Sequence, residues 1–239
     1  LPNVIKRAVV NDPYDSSGSD ISTTRLITPP RIRVLEARHW ENLTEDVADK
    51  IFALLGSSVH HVIERAVTDE DIAELRLFHE VNGWTLSGQF DLLTSKVKSL
   101  SIMAILRDWS KMKTMTSKDY PRKQVVMIPV RQWSEEEQDN FVLARIKAHQ
   151  EAEVGELPVC SAKERWRKDD KYAIMKDGRK TALRLLDTKD QVKQYLKDNK
   201  LVEGKGCTVV LRAGEDIRCQ TYCRVNSFCD YFMEKSVEF

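Results

Sequence analysis

Four of the five cysteines are spaced so as to tie the two ends of the C-terminal third together. Cys160 stands alone in LPVCSAKERW, and after 58 intervening residues Cys219, Cys223 and Cys229 follow in GEDIRCQTYCRVNSFC. The fifth, Cys207, lies in GCTVVLR, which reads as a buried strand. Anything bound by all four would staple the intervening chain into a closed unit, which excludes most open arrangements of that region. Three readings fit the thiols. They are unrelated buried cysteines, a zinc site, or an iron–sulfur cluster. Zinc sites favour pairs separated by two to four residues, whereas a cluster needs four thiolates and tolerates irregular spacing. One distant ligand plus a triplet suits the cluster better.

Composition narrows the class. The chain has 239 residues, 41% hydrophobic and 31% charged, enough for one large domain or a core with an appendage. Five cysteines in so long and charged a chain do not make a secreted disulfide scaffold. No run approaches the roughly 18 apolar residues of a membrane span, and no secretory signal is visible, so a cytoplasmic location is expected. A net charge of +1 neither demands nor excludes a nucleic-acid partner.

Periodicity supplies the order of elements. NDPYDSSGSD is a polar loop, and Pro29-Pro30 blocks a long helix soon after it. Thr44 is expected to cap a helix carrying Val47, Ile51, Leu54, Leu55, Val59, Val62 and Ile63 at helical spacing. Gly56 within it either admits another backbone or costs about 1 kcal/mol. LRLFHEV and WTLSGQFDLL flank Asn82-Gly83, a hairpin signal. SIMAIL reads as a strand buried on both faces, and KQVVMIPV as a further strand. Ser134 opens a helix to about Glu153 with a capping-box pattern. Beyond Cys160, residues 171–213 read as a β-β-α-β unit turning at Asp177-Gly178.

Helix, hairpin and buried strand in this order resemble the start of the PD-(D/E)XK nuclease core. GSSVHHVIE resembles the G-x-x-x-H-x-x-x-E helix motif of the RecB-like branch, giving Gly56, His60 and Glu64. LSGQFDLL resembles its G-x-x-D strand motif, giving Gly88 and Asp91. SDISTTRLITPPRIRVLEARHW, AILRDWSK and RCQTYCRVNSFC resemble phrases of the phage-encoded members of that group, which are related to the CRISPR-adaptation exonucleases, so the likeness spans nearly the whole chain.

The resemblance implies an α/β fold, a central mixed sheet flanked by helices over residues 1–158, and a small α+β iron–sulfur domain over 159–239. It implies that His60 and Asp91 bind Mg²⁺ or Mn²⁺, that Glu64, one turn after His60, supports them, and that Cys160, Cys219, Cys223 and Cys229 hold a [4Fe–4S] cluster. The reaction implied is metal-dependent hydrolysis of DNA, of single strands or duplex ends, with a lysine stabilising charge on the phosphate. His61 should point elsewhere, since adjacent helical residues diverge by about 100°.

One part of the pattern is missing. The family next has a strand with (D/E)-x-K and then a helix with Tyr and Gln, but only TSKVKSL separates Leu93 from Ser101. SKVKS aligns Lys96 with the catalytic lysine and puts Thr94 at the acidic position. Asp108 and Lys111 are a poor substitute, because three residues apart on a strand they face opposite ways. Tyr120 and Gln124 mimic the Tyr/Gln pair, but Pro121 argues against a helix there. Our expectation is that several tens of residues, carrying an acid two residues before a lysine and then a helix with Gln, belong between Leu93 and Ser101. If they do not, the chain is a non-catalytic DNA-binding or scaffold protein on the same fold. A zinc-stapled regulatory protein with a coincidental helix motif is the third possibility.

Overall fold

The computed structural model describes residues 2–10, 18–44, 46–48, 50–94 and 99–237. It is mixed α/β, with three small sheets in place of one central sheet among the described residues. The chain divides into two compact units, residues 1–27 with 45–149, and residues 28–44 with 150–239. The segment 28–44, expected in the nuclease-like part, thus packs with the cysteine-bearing part.

The first unit holds α1 (Asn3–Val10), β1 (Ile21–Ser22) and α2 (Thr23–Ile27). The second takes α3 (Pro30–Arg38), which begins after Pro29 with Pro30 in its first turn, where a missing N–H costs nothing. The first unit resumes with α4 (Ile51–Glu64), β2 (Asp71–Val81) and β3 (Trp84–Thr94). Thr44 does not cap α4, because the helix starts a turn and a half later, with Lys50 at the cap position. Asn82 and Gly83 both adopt positive φ, +51° and +78°, the backbone that a two-residue hairpin requires. The resulting antiparallel ladder runs from Val81↔Trp84 to Asp71↔Thr94, and β1 adds to β3 in parallel.

Then come β4 (Leu100–Ile105), α5 (Lys111–Thr116), β5 (Val125–Val130) and α6 (Glu135–Val154). Ser134 caps α6 reciprocally, its Oγ accepting from Glu137 N–H while the Glu137 carboxylate accepts from Ser134 N–H. The first unit's core is Ile21, Leu26, Leu86 and Ile146, with Val81, Trp84 and Val142 against it. The carbonyl of Leu26, at the end of α2, accepts from Arg145 Nε and from the fully buried His149, so His149 carries its proton on Nε2.

The expectation that β4 is buried on both faces fails. Among the described residues it pairs with β5 alone in a two-stranded sheet, and Leu100, Ile102, Met103 and Ile105 are exposed. An apolar run records that a strand gains by being covered; the cover must come from elsewhere in the chain. Residues 95–98, where the acid–lysine strand and Lys96 were expected, lie outside the described residues.

The second unit continues with β6 (Lys171–Lys176), β7 (Arg184–Leu186), α7 (Lys189–Asp198), β8 (Val202–Glu203) and β9 (Gly206–Arg212), in the sheet order β7-β6-β9-β8. This is the expected β-β-α-β unit with one short strand added. Thr188 and Gln191 form a capping box on α7. Ile174, Val192 and Cys207 form its core. A π-helical turn (Arg218–Tyr222), a 3-10 turn (Asn226–Phe228) and α8 (Asp230–Val237) complete the unit. No helix among the described residues is long and apolar enough to cross a membrane.

Candidate metal centre and a four-cysteine cavity

Two groups of side chains have the chemistry of sites, one in each unit. In the first, α4 delivers His60 and the hairpin delivers two carboxylates. The ladder continues without a shift on both sides of Glu74, with Ala73↔Leu92 before it and Leu75↔Phe90 after it, so Glu74 falls opposite Asp91 on the same face. Glu74 itself has φ +53°, a left-handed backbone that a glutamate in a strand adopts only against a steric cost. One ligand atom from each of His60, Glu74 and Asp91 lies within 4.8 Å of the others.

His60 Nδ1 is 2.8 Å from Glu74 Oε1 and 3.6 Å from Asp91 Oδ1. The other oxygen of Glu74 accepts from Gln89 Nε2 at 2.6 Å, and Gln89 Oε1 in turn accepts from Arg76 at 3.1 Å. Arg76 reaches Ser87 Oγ, which pairs with Ser19 Oγ at 2.7 Å. Gln89 therefore fixes one carboxylate oxygen and leaves the other toward His60. The His60 pKa is raised by its hydrogen bond to Glu74, lowered in part by burial, and raised further by the charges of Asp91 and Glu74. A divalent cation fits this set, two hard oxygens and one imidazole, and would replace the proton that now holds the three together.

Sequence reasoning chose His60 and Asp91 and missed Glu74. The available signal was the turn: once Asn82-Gly83 fixes the hairpin, the residue opposite Asp91 is Glu74. Glu64 does not join the group; its carboxylate lies 3.6 Å from His61, on the exposed side of α4. Gly56 meets nothing within 4 Å, so no backbone approaches it among the described residues. Gly88 does meet a neighbour, since a Cβ there would lie 2.9 Å from Thr23 Cγ2 at the start of α2. Asp108, Lys111 and Tyr120 form a local turn, with Tyr120 Oη donating to the Asp108 carbonyl and accepting from Ser110 N–H.

In the second unit, Cys160, Cys219, Cys223 and Cys229 all line one small pocket, together with Arg31, Arg165, Arg218, Glu164, Leu35 and Val225. Cys207 is elsewhere, buried in β9 with its Sγ donating to the Val202 carbonyl. Cys219 sits in the π-helical turn, a distortion common at functional sites. Its carbonyl is held by Asn226 Nδ2 at 3.0 Å. Arg31, almost fully buried on α3, donates to the carbonyls of Leu157 and Pro158, pairs with Asp230, and points Nη1 at Cys229 Sγ from 3.7 Å. That one guanidinium joins the chain before Cys160 to the chain after Cys229.

Burial pushes the Cys160 thiol up to about 12 and the Cys219 thiol up to about 11, with Glu164 and Asp216 respectively adding to it, and burial also raises Cys223. A metal group held there would have to displace the protons of Cys160, Cys219 and Cys223 against this upward shift. No three of these sulfurs lie within 4.8 Å of one another among the described residues. Four ligands around a single zinc ion would be about 3.8 Å apart. No family model, curated protein or solved structure matches the chain.

Proposed function

We propose that the chain is a metal-dependent DNA nuclease of the RecB-like PD-(D/E)XK type, hydrolysing phosphodiester bonds in single strands or at duplex ends. The observation that carries this reading is the convergence of His60, Glu74 and Asp91, in which a helix and the following hairpin bring an imidazole and two carboxylates within one ion's reach. Mg²⁺ or Mn²⁺ bound there would polarise the phosphate and lower the pKa of an attacking water. The protein's own part is to hold the ligands still. Gln89 anchors Glu74, Arg76 anchors Gln89, and α4 keeps the His60 ring over the hairpin.

The four-cysteine cavity fits an iron–sulfur cluster as a structural staple. The support is that the four cysteines line one pocket while Cys207 does not, and that Arg31, Arg165 and Arg218, beside the single acid Glu164, would offset part of the negative charge of four thiolates. Such a group would close the loop between Cys160 and Cys219.

A second reading, a non-catalytic DNA-binding or scaffold protein, has one specific observation behind it. Among the described residues β4 pairs with β5 and not with the hairpin, so no described strand sets an acid and a lysine beside Asp91. One experiment separates the readings. Protein purified without oxygen is analysed for iron and zinc, then incubated with end-labelled single-stranded and blunt duplex DNA with and without Mn²⁺. Cleavage that needs Mn²⁺ and disappears in Asp91→Ala, with the circular dichroism unchanged, supports the nuclease. Binding without cleavage by the unaltered protein installs the second reading, and stoichiometric zinc without iron removes the cluster.

A further inference from the structure

The module between the lone cysteine and the triplet has a charge the rest of the chain lacks. Residues 171–213 contain 11 lysines and arginines against 5 aspartates and glutamates, a net +6, whereas the whole chain is only +1. Four of these cations form a stripe. Lys189, Lys193 and Lys197 recur every fourth residue along α7, Lys200 follows one turn on, and all four are exposed. Val192, Tyr195 and Leu196 take the inner face against the sheet.

The arrangement works against the helix that carries it. Like charges four residues apart repel, and Lys189, as the first residue of α7, opposes the positive end of the helix dipole, although Asp190 in the first turn and Lys197 in the last complement it. Only Lys193 has an acidic neighbour on the helix, Asp190 at 3.2 Å, among the pairs the structure records. A solvated face would be served better by mixed signs.

Beside the stripe runs an open groove, with Lys189, Lys193 and Leu196 on one wall and Tyr172, Val209 and Leu211 as its floor. Tyr172 and Leu211 are a cross-strand pair on one face of the sheet, Tyr172 half-buried and Leu211 54% exposed. The acidic lining residue, Glu203, is engaged by the Val209 N–H. A wall of cations beside an aromatic and aliphatic floor is the combination that holds a single nucleic-acid strand, the phosphates on the lysines and a base on the ring. Successive lysines rise about 6 Å along the helix axis, close to the phosphate spacing of an extended strand.

We infer that the groove between α7 and β9 binds single-stranded DNA. The choice of DNA rests on the nuclease reading, but the site is separate from His60, Glu74 and Asp91 and needs no divalent ion. The test is fluorescence anisotropy of labelled oligothymidylate, about twenty nucleotides long, with the full chain in buffer without added divalent metal, across a range of KCl. With about four phosphates neutralised, log K should fall against log[KCl] with a slope of about −3. The triple variant Lys189→Gln, Lys193→Gln, Lys197→Gln should reduce that slope by about 2 and weaken binding at least tenfold at low salt. Its melting temperature should equal or exceed that of the unaltered protein. Tyr172→Leu, which keeps an apolar side chain in the module's core, should weaken binding at least fivefold with the slope unchanged. Unaltered affinity and slope in the triple variant overturn the proposal, as does equal or tighter binding of a duplex through the same lysines. Loss of Mn²⁺-dependent cleavage with this binding intact would count against the nuclease reading alone.

Discussion

Gly214→Ala should destabilise the second unit by about 2–4 kcal/mol, more than its half-exposed position suggests. The residue lies where the chain leaving β9 crosses the segment after Cys160. Lys168 N–H donates to the Glu215 carbonyl at 2.9 Å, Glu215 N–H donates to the Lys168 carbonyl at 3.2 Å, and Gly214 N–H donates to Asp170 Oδ1 at 2.8 Å. A Cβ on Gly214 would overlap the Lys168 carbonyl oxygen and sit 3.0 Å from both the Asp169 carbonyl carbon and Asp170 Oδ1. Two of these three neighbours are backbone, so no side-chain rotation relieves the overlap; the strands must part. Parting them loses two ordinary hydrogen bonds, about 1 kcal/mol each, and one to a carboxylate, about 1.5 kcal/mol or more. Alanine recovers about 0.4–1 kcal/mol by restricting the unfolded chain. Urea unfolding should show the midpoint falling by about 1–2 M for a slope of about 2 kcal/mol/M. Hydrogen exchange at Lys168 and Glu215 should accelerate together, because they are one bridge. A change within about 0.5 kcal/mol of the unaltered protein would refute the crossing as a constraint.

Gly56→Ala should have the opposite sign, stabilising α4 by about 0.8–1 kcal/mol, because a glycine in a helix interior is costly and nothing lies within 4 Å of the added methyl; destabilisation in the same urea assay would mean that another backbone does approach α4. Glu74→Gln should lower the His60 pKa, read from its ring-proton shifts, by removing the largest of the influences that raise it, and an unchanged titration would show that the two side chains do not meet in solution. The pH dependence follows in sign. The His60–Glu74 pair contributes stability below the ordinary imidazole value of about 6.5, lost as pH rises through the raised value, whereas Mn²⁺ affinity should increase across that same range because the ion needs the unprotonated ring.

The parts of this chain legible in advance are those whose signal is local. Asn82-Gly83 fixes a hairpin because few residues tolerate two successive positive φ values, and Ser134 with Glu137 fixes a helix start because both hydrogen bonds are made within four residues. The separation of Cys207 from the other four was legible too, since Cys207 sits inside an apolar strand run while Cys219, Cys223 and Cys229 crowd into eleven residues. What could not be read depends on partners distant in sequence. Arg31 looks like any surface arginine in PRIRVLEAR, and its burial follows only from the Leu157 and Pro158 carbonyls, some 126 residues away, and from Asp230. The same logic explains the error over SIMAIL. Its apolar residues say that both faces would gain from cover, yet Ile102 and Ile105 are half exposed or more in a two-stranded sheet. Phe78, Leu77 and Leu92 on the hairpin are open in the same way. Many of the exposed apolar side chains of the first unit thus lie on the two sheets that precede and follow residues 95–98 in sequence, and others, Phe52, Leu55 and Val62, lie on α4. Strand periodicity can say which faces a chain would gain by burying, and in this protein it says so more clearly than the fold satisfies it.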